Sequence, residues 1–179
     1  LRPEAREAMA EVAEALDANP SSVHHEGRVA RNALARARAA LAAAIGGSIH
    51  SLVLTSSASE ANNLAIKGCL GLSENGSRGL AVTAVEHPSV LGPAEWMERV
   101  GLAERCLHLE VDASGQLQPQ NLNEALGEGV GLVSVIAANN ETGVILDVPR
   151  IAEQVHRAGA LLHVDATQAV GRIPVNVCL

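Results

Sequence analysis

Four places along the 179-residue chain put groups capable of chemistry directly after an apolar run. Ser57 and Ser59 follow Leu52-Val53-Leu54-Thr55, and His87 comes shortly after Leu80-Ala81-Val82-Thr83-Ala84. Asn140 follows Leu132-Val133-Ser134-Val135-Ile136, and Asp165 with Gln168 follows Ala160-Leu161-Leu162-His163-Val164. Small residues and open N–H groups at a helix start attract an anion, and serine hydroxyls add donors. An imidazole can stack on a flat ligand and move protons near neutral pH. A carboxylate at a strand end needs a partner, because burying an unpaired charge is costly. Each group also has a plainer use. Ser57 and Glu60 spell a capping box, Asn139-Asn140 suits a turn, Asp165 can cap its own backbone, and His87 can be an idle loop residue.

The elements that must position these groups read as alternating strands and helices. The runs at 52–55, 80–84, 106–109, 132–136 and 160–164 read as strands, with 132–136 and 160–164 buried, the last because it is apolar without alternation, the pattern of a parallel sheet. Between them lie helical patterns: one holding Leu64, Ile66 and Leu70, one with Val90, Ala94 and Met97, one around Leu122 and Leu126, and one opened by Pro149. Two helices precede the first strand. Pro3 to Leu16 starts with proline and acids, and the second runs through Ala30, Leu34, Ala37, Leu41 and Ile45 to Gly46-Gly47. Arg28, Arg31, Arg36 and Arg38 read as the solvated face of that second helix. The fold class is therefore α/β with a doubly wound, mainly parallel sheet, whose carboxyl edge carries all four polar groups. Unrelated turns would not place such groups repeatedly at one edge.

Composition narrows the function classes. A formal charge of −7 argues against nucleic acid or a membrane surface as partner, and no apolar run reaches the length of a membrane span. With one Trp and neither Phe nor Tyr, the core must be aliphatic. Three cysteines without CxxC spacing argue against a disulfide framework and suit a reducing cytoplasm. Leu1-Arg2-Pro3-Glu4 shows neither an initiator Met nor a signal-peptide pattern. His24 and His25 have no Cys or carboxylate at ligand spacing, so no metal is assigned. No GxGxxG follows the first strand, which disfavours a nicotinamide-binding domain. Twelve of the thirteen basic residues are Arg, leaving Lys67 as the single lysine.

A planar, phosphorylated, electron-accepting cofactor would use all four positions, and pyridoxal 5′-phosphate (PLP) has that chemistry. The phosphate would lie on Ala58-Ser59, the ring under His87, the ring oxygen near Asn140 and the protonated ring nitrogen against Asp165. The motifs Asn19-Pro20-Ser21-Ser22-x-His24-x-x-Gly27-Arg28, Thr55-Ser56-x-Ala58-Ser59-Glu60-x-Asn62-Asn63-Leu64, Glu86-His87, Asn139-Asn140-Glu141-Thr142-Gly143 and His163-Val164-Asp165-Ala166-Thr167-Gln168 occur in this order along essentially the whole chain. Together they strongly resemble the cysteine desulfurases, class V aminotransferase-like enzymes of PLP fold type I.

That resemblance implies a role for each position. Ala58 and Ser59 would hold the cofactor phosphate, and His87 would stack on the ring and assist proton transfer. Asn140 would contact the ring oxygen, Asp165 the pyridine nitrogen, and Gln168 again the ring oxygen. It implies conversion of L-cysteine to L-alanine with sulfur carried as an enzyme persulfide. It also implies a homodimer and a sulfur-acceptor or iron–sulfur scaffold partner. A selenocysteine lyase or another class V enzyme, and a non-catalytic scaffold retaining the fold, are the rival readings. The family usually has Gly and Thr where this chain has Ser57 and Ser59. Thr to Ser keeps the hydroxyl, whereas Gly to Ser adds a Cβ in a tight turn. The Schiff-base lysine of the family lies beyond the Asp-x-x-Gln motif, past Leu179, and Lys67 does not correspond to it. The persulfide cysteine belongs to the C-terminal half, so Cys69, Cys106 and Cys178 read as packing residues. Residues 1–179 are accordingly expected to be part of a PLP-binding large domain, without the remaining C-terminal part or small domain, and inactive as a desulfurase alone.

Overall fold

Runs of Val, Leu and Ile with no polar alternation must be covered on both faces, and the computed structural model, which describes residues 2–74 and 76–177, has that arrangement. The elements are α1 (Pro3–Ala15), α2 (His25–Ala44), a 3-10 turn (Ile49–Ser51), α3 (Ala58–Cys69), β1 (Gly79–Thr83), α4 (Pro88–Arg99), β2 (Arg105–Leu109), α5 (Pro119–Gly127), β3 (Leu132–Ile136), α6 (Val148–Arg157) and β4 (Leu161–Asp165). Asn75 interrupts the described part of the polar loop between α3 and β1, and Cys178 lies outside the described residues, so its expected packing role does too.

The chain forms two compact units. One comprises the N-terminal stretch through Val53 with the segment from Val175, and the other is Leu54–Pro174. In the second unit four parallel strands pair in the order β2-β1-β3-β4. The chain leaves β1 toward one edge and β3 toward the other, so the direction of winding reverses between these two neighbours. Ligands of open α/β sheets bind outside the strand ends at such a switch point. Alternate side chains serve opposite faces. Leu80 and Val82 pack with Ile66, Val90, Ala94 and Met97 of α3 and α4, while Ala81, Val133 and Val135 pack with Leu122, Ile151 and Val155 of α5 and α6. Both faces of the central strands β1 and β3 are thereby closed. Cys69 and Cys106 lie half-buried against the α3/α4 cluster, as expected of packing residues, and burial with Glu98 and Glu95 nearby pushes the Cys106 thiol up to about 11.

Two expectations need correction. Leu52–Thr55 forms no strand: Val53 and Leu54 are largely exposed, and none of the described strands pairs with them. Strand propensity is realised only where a partner supplies the ladder hydrogen bonds. Likewise β4 pairs with β3 alone among the described residues, so Leu161–Val164 are half-buried rather than enclosed, and only Asp165 is buried.

In the N-terminal unit α1 buries nothing, with Met9 and Val12 more than half exposed. Helix α2 is capped by His24, whose Nδ1 accepts the Gly27 N–H at 3.3 Å, and ends at Gly46 with φ +68°. Its arginines are more than a solvated face. Arg28 donates to the Val23 carbonyl, Arg31 to those of Pro20 and Ser22, and Arg38 to those of Ile49 and Leu52. These carbonyls belong to loops with no ladder of their own, and the fork of a guanidinium can satisfy two at once.

Candidate functional site

The parallel strands end together, so residues far apart in sequence meet at the carboxyl edge. A cavity of about 330 Å³ opens there within the second unit. Ser57, Ala58, Ser59, His87, Asn140, Asp165 and Gln168 all line it, joined by Ser89, Ile136, Ala138 and Thr167. Every residue singled out from the sequence reaches the same space.

The start of α3 forms one wall. Ser57 Oγ accepts the Glu60 N–H at 3.2 Å, as a capping box requires. The Glu60 carboxylate, however, reaches one residue further back than that motif prescribes, accepting from Ser56 N at 2.7 Å and Ser56 Oγ at 2.6 Å. These bonds from Ser56 hold the Glu60 carboxyl below its usual range. Among the described residues nothing accepts from the N–H groups of Ala58 and Ser59. The cap therefore consumes one donor and leaves others open beside the cavity. Ser57 sits at φ −164°, ψ 165°, extended backbone that any residue adopts. Its Cβ is tolerated without strain.

The rest of the lining is built from side chains locked by internal bonds. Asp165 ends β4, and its Oδ2 accepts from Asn62 Nδ2 at 2.8 Å while Oδ1 accepts from Thr167 N at 3.0 Å. Burial works to raise its pKa. The bonds from Thr167 and Asn62, with His163 nearby, outweigh that and leave the carboxyl below its usual value. Asp165 is thus an anion 5% exposed at the cavity wall. His87 is the N-cap of α4: its Nδ1 accepts Ser89 N at 3.1 Å and lies 2.8 Å from Ser89 Oγ. Asn140 is exposed to the cavity, and its neighbour does the structural work. Asn139 Oδ1 accepts from Glu141 N, Thr142 N and Thr142 Oγ1, and its Nδ2 donates to the Val85 carbonyl, with Gly143 at φ +74° closing the turn.

Several contributing residues escape sequence reasoning. Asn62, 4% exposed, shares the buried face of α3 with Ile66, and an amide on an apolar face is the signal that could have found it. Glu86 is also buried. Its Oε1 accepts from Thr83 Oγ1 at 2.6 Å, the Ile136 backbone lies close enough to favour the charged form, and Oε2 makes no geometric hydrogen bond among the described residues. Burial raises its pKa to about 7, opposed by the Thr83 hydroxyl and reinforced by the charge of Asp165. His163 is held below its usual value by burial, with Nδ1 2.8 Å from Ser134 Oγ. Lys67 lies outside this cavity, its ammonium 4.8 Å from the Trp96 ring centroid.

A helix start with open N–H groups, an ionised carboxylate and an imidazole thus line one cleft, and known proteins share the fold that gathers them. The class-V aminotransferase family model matches residues 2–178. The chain belongs to the class-V aminotransferase family. It is 39% identical over 178 residues to the cysteine desulfurase IscS of Dictyoglomus turgidum, covering 99% of this chain and 44% of that protein. Among solved structures it resembles a NifS-like protein with TM-score 0.90 at 30% identity, covering 99% of this chain and 49% of that one. It also resembles SspA in complex with cysteine, TM-score 0.87 at 30% identity, covering 99% and 50%. This class-V chain therefore spans about half the length of the relatives it matches. Membership implies PLP as the family's cofactor in general, and the α/β fold with its parallel sheet agrees with these neighbours. No helix among the described residues is long and apolar enough to cross a membrane.

Proposed function

We propose that residues 1–179 are part of the PLP-binding large domain of a cysteine desulfurase, a protein that converts L-cysteine to L-alanine and passes the sulfur to an acceptor protein as an enzyme-bound persulfide. The observation that carries this reading is the pairing, within one cavity, of open N–H donors at the start of α3 with the ionised Asp165 on the far wall. A phosphorylated ring with a protonated nitrogen needs those two features at its two ends. The donor set fits: Ala58, Ser59 and the Ser57 hydroxyl region offer hydrogen bonds to an anion, and Asp165 offers a fixed countercharge to a cation. The likeness to cysteine desulfurases along 99% of the chain supports the substrate class.

PLP bound here would supply an electron sink for the carbanion formed at the substrate α-carbon. The chain's own residues have separate tasks. Ala58 and Ser59 bind the phosphate through their N–H groups. Asp165, ionised and oriented by Asn62 and Thr167, keeps the ring nitrogen protonated. His87 would hold a proton beside the bound ring, and Asn140 and Gln168 would offer hydrogen bonds to its oxygen. The protein is read as a homodimer working in the cytoplasm with a sulfur-acceptor or iron–sulfur scaffold partner.

The test is reconstitution of the complete protein with PLP. Expected are a visible absorbance band of bound cofactor and release of alanine from L-cysteine in the presence of a thiol acceptor. Preference for selenocysteine over cysteine would move the assignment to a selenocysteine lyase. A complete protein that binds no PLP would overturn the reading in favour of a scaffold.

A further inference from the structure

A continuous set of hydrogen bonds joins Asp165 to His87 through Asn62 of α3 and Ser89. Asn62 Nδ2 lies 2.8 Å from Asp165 Oδ2 and 2.9 Å from Ser89 Oγ, and Ser89 Oγ lies 2.8 Å from His87 Nδ1. The direction of each bond follows from its neighbour. An ionised carboxylate can only accept, so the amide nitrogen of Asn62 must face Asp165. That nitrogen carries two hydrogens, and the second goes to Ser89 Oγ. The hydroxyl oxygen thus accepts from Asn62, which leaves its single hydrogen to donate to His87 Nδ1. Nδ1 receives a second donor from the Ser89 N–H at 3.1 Å. A ring nitrogen facing two donors must present its lone pair, so the uncharged imidazole carries its proton on Nε2.

We propose that Asn62 and Ser89 are positioning residues that transmit the charge of Asp165 to His87 and lock the imidazole in its Nε2–H tautomer. The proposal rests on the reading that Asp165 and His87 serve the same ligand. Its consequence is directional. His87 acts toward the cavity as a donor through Nε2, because its only lone pair is held behind it by Ser89. A base would need that lone pair on the other nitrogen. The relay also requires ionised Asp165, so the group that fixes the countercharge fixes the histidine's donor role as well. Asn62 is buried and Ser89 half-buried, which shields the Asp165 end of the chain of bonds from water, while its His87 end is exposed.

The experiment measures the tautomer directly, from the ring ¹⁵N shifts of His87 in the complete protein labelled with ¹⁵N-histidine, without added PLP and assigned by loss of the signal in His87→Gln. The wild type is expected to show a protonated Nε2 and an unprotonated Nδ1. Ser89→Ala removes one of the two donors to Nδ1 and should change the tautomer ratio by about fivefold, with Ser89→Thr restoring it. Asn62→Ala frees the Ser89 oxygen to accept from Nδ1 and should move the ratio in the same direction. A protonated Nδ1 in the wild type overturns the proposal. So do unchanged ring shifts in folded Ser89→Ala, or a shift in Ser89→Ala with none in Asn62→Ala, since the relay would then stop short of Asp165. Should Asn62→Ala not fold, Asp165→Asn at unchanged pH replaces it: a changed tautomer ratio supports the relay, and an unchanged ratio overturns it. Binding of PLP, read separately by its absorbance, reports on the cofactor reading alone.

Discussion

The two walls of the cavity solve opposite problems. At the start of α3 the backbone offers hydrogen-bond donors that the protein itself leaves unused, and the side chains nearby serve mainly to cap the helix. Elsewhere in the lining the side chains of Asp165, Ser89 and His87 are committed before any ligand arrives, to one another and to Asn62 of α3. The first wall depends on local backbone geometry and tolerates exchange among small residues. The second depends on contacts between residues as much as 103 apart, and should fail when any one member is removed. The difference teaches that an anion end can be built from a turn, whereas a cation end in a buried setting must be built from a network.

The comparison can be broken most severely at Asp165. Asp165→Asn should weaken PLP binding by about a thousandfold, since removing one partner of a buried charge pair costs roughly 4 kcal/mol. Cofactor titration followed by absorbance checks this, and unchanged affinity would put the ring nitrogen elsewhere.

The next largest effect concerns Glu86 beside that network. Its carboxyl is raised from 4.5 to about 7, so between those pH values the unfolded chain has released a proton that the folded chain still holds. Folded stability should therefore fall as pH rises through this window, by about 3 kcal/mol in total. His163, held below its usual value, tilts the opposite way: its contribution is lost as pH falls below 6.5. Subtracting the denaturation curve of Glu86→Gln from that of the wild type isolates the Glu86 part, which should vanish in the variant. Parallel curves from pH 4.5 to 7 would show that Glu86 is not buried in the charged form's disfavour.

On the helix-start wall the expected effects are smaller. Ser57→Ala removes the N-cap acceptor and should cost about 1 kcal/mol of stability, whereas Ser57→Gly should cost only a few tenths. Urea denaturation midpoints distinguish them, and equal losses would mean the hydroxyl does more than cap. Smallest of all, Ser59→Ala should reduce PLP affinity only a few-fold, because the N–H groups remain. A loss comparable to that of Asp165→Asn would erase the contrast between the walls.

How much was legible beforehand follows the same division. The turn and helix start at Ser57–Glu60, the helix start at Pro3, the Gly46 stop and the Asn139–Gly143 turn are local, and residue type with spacing suffices to place them. The partners of Asp165 were not legible, because Asn62 on α3 and Asp165 at the end of β4 meet only through the sheet. Nor was the division of labour between Asn139 and Asn140, since both suit a turn and only the fold turns one inward to bond the Val85 carbonyl. The apolar stretch 52–55 looked like a strand because propensity is local, and failed to become one because pairing is not. The α2 arginines read as solvated for a related reason: the loop carbonyls they hold come from residues as far off as 14 positions.

By itself the sequence determined the parallel α/β class, the set of polar groups that follow its apolar runs and their family order, because periodicity and turn chemistry act over a few residues. The tertiary structure decided which of those groups are charged, which are already hydrogen-bonded and which remain open to a ligand. Burial and long-range contacts set ionisation, and neither exists until the strands have been brought side by side.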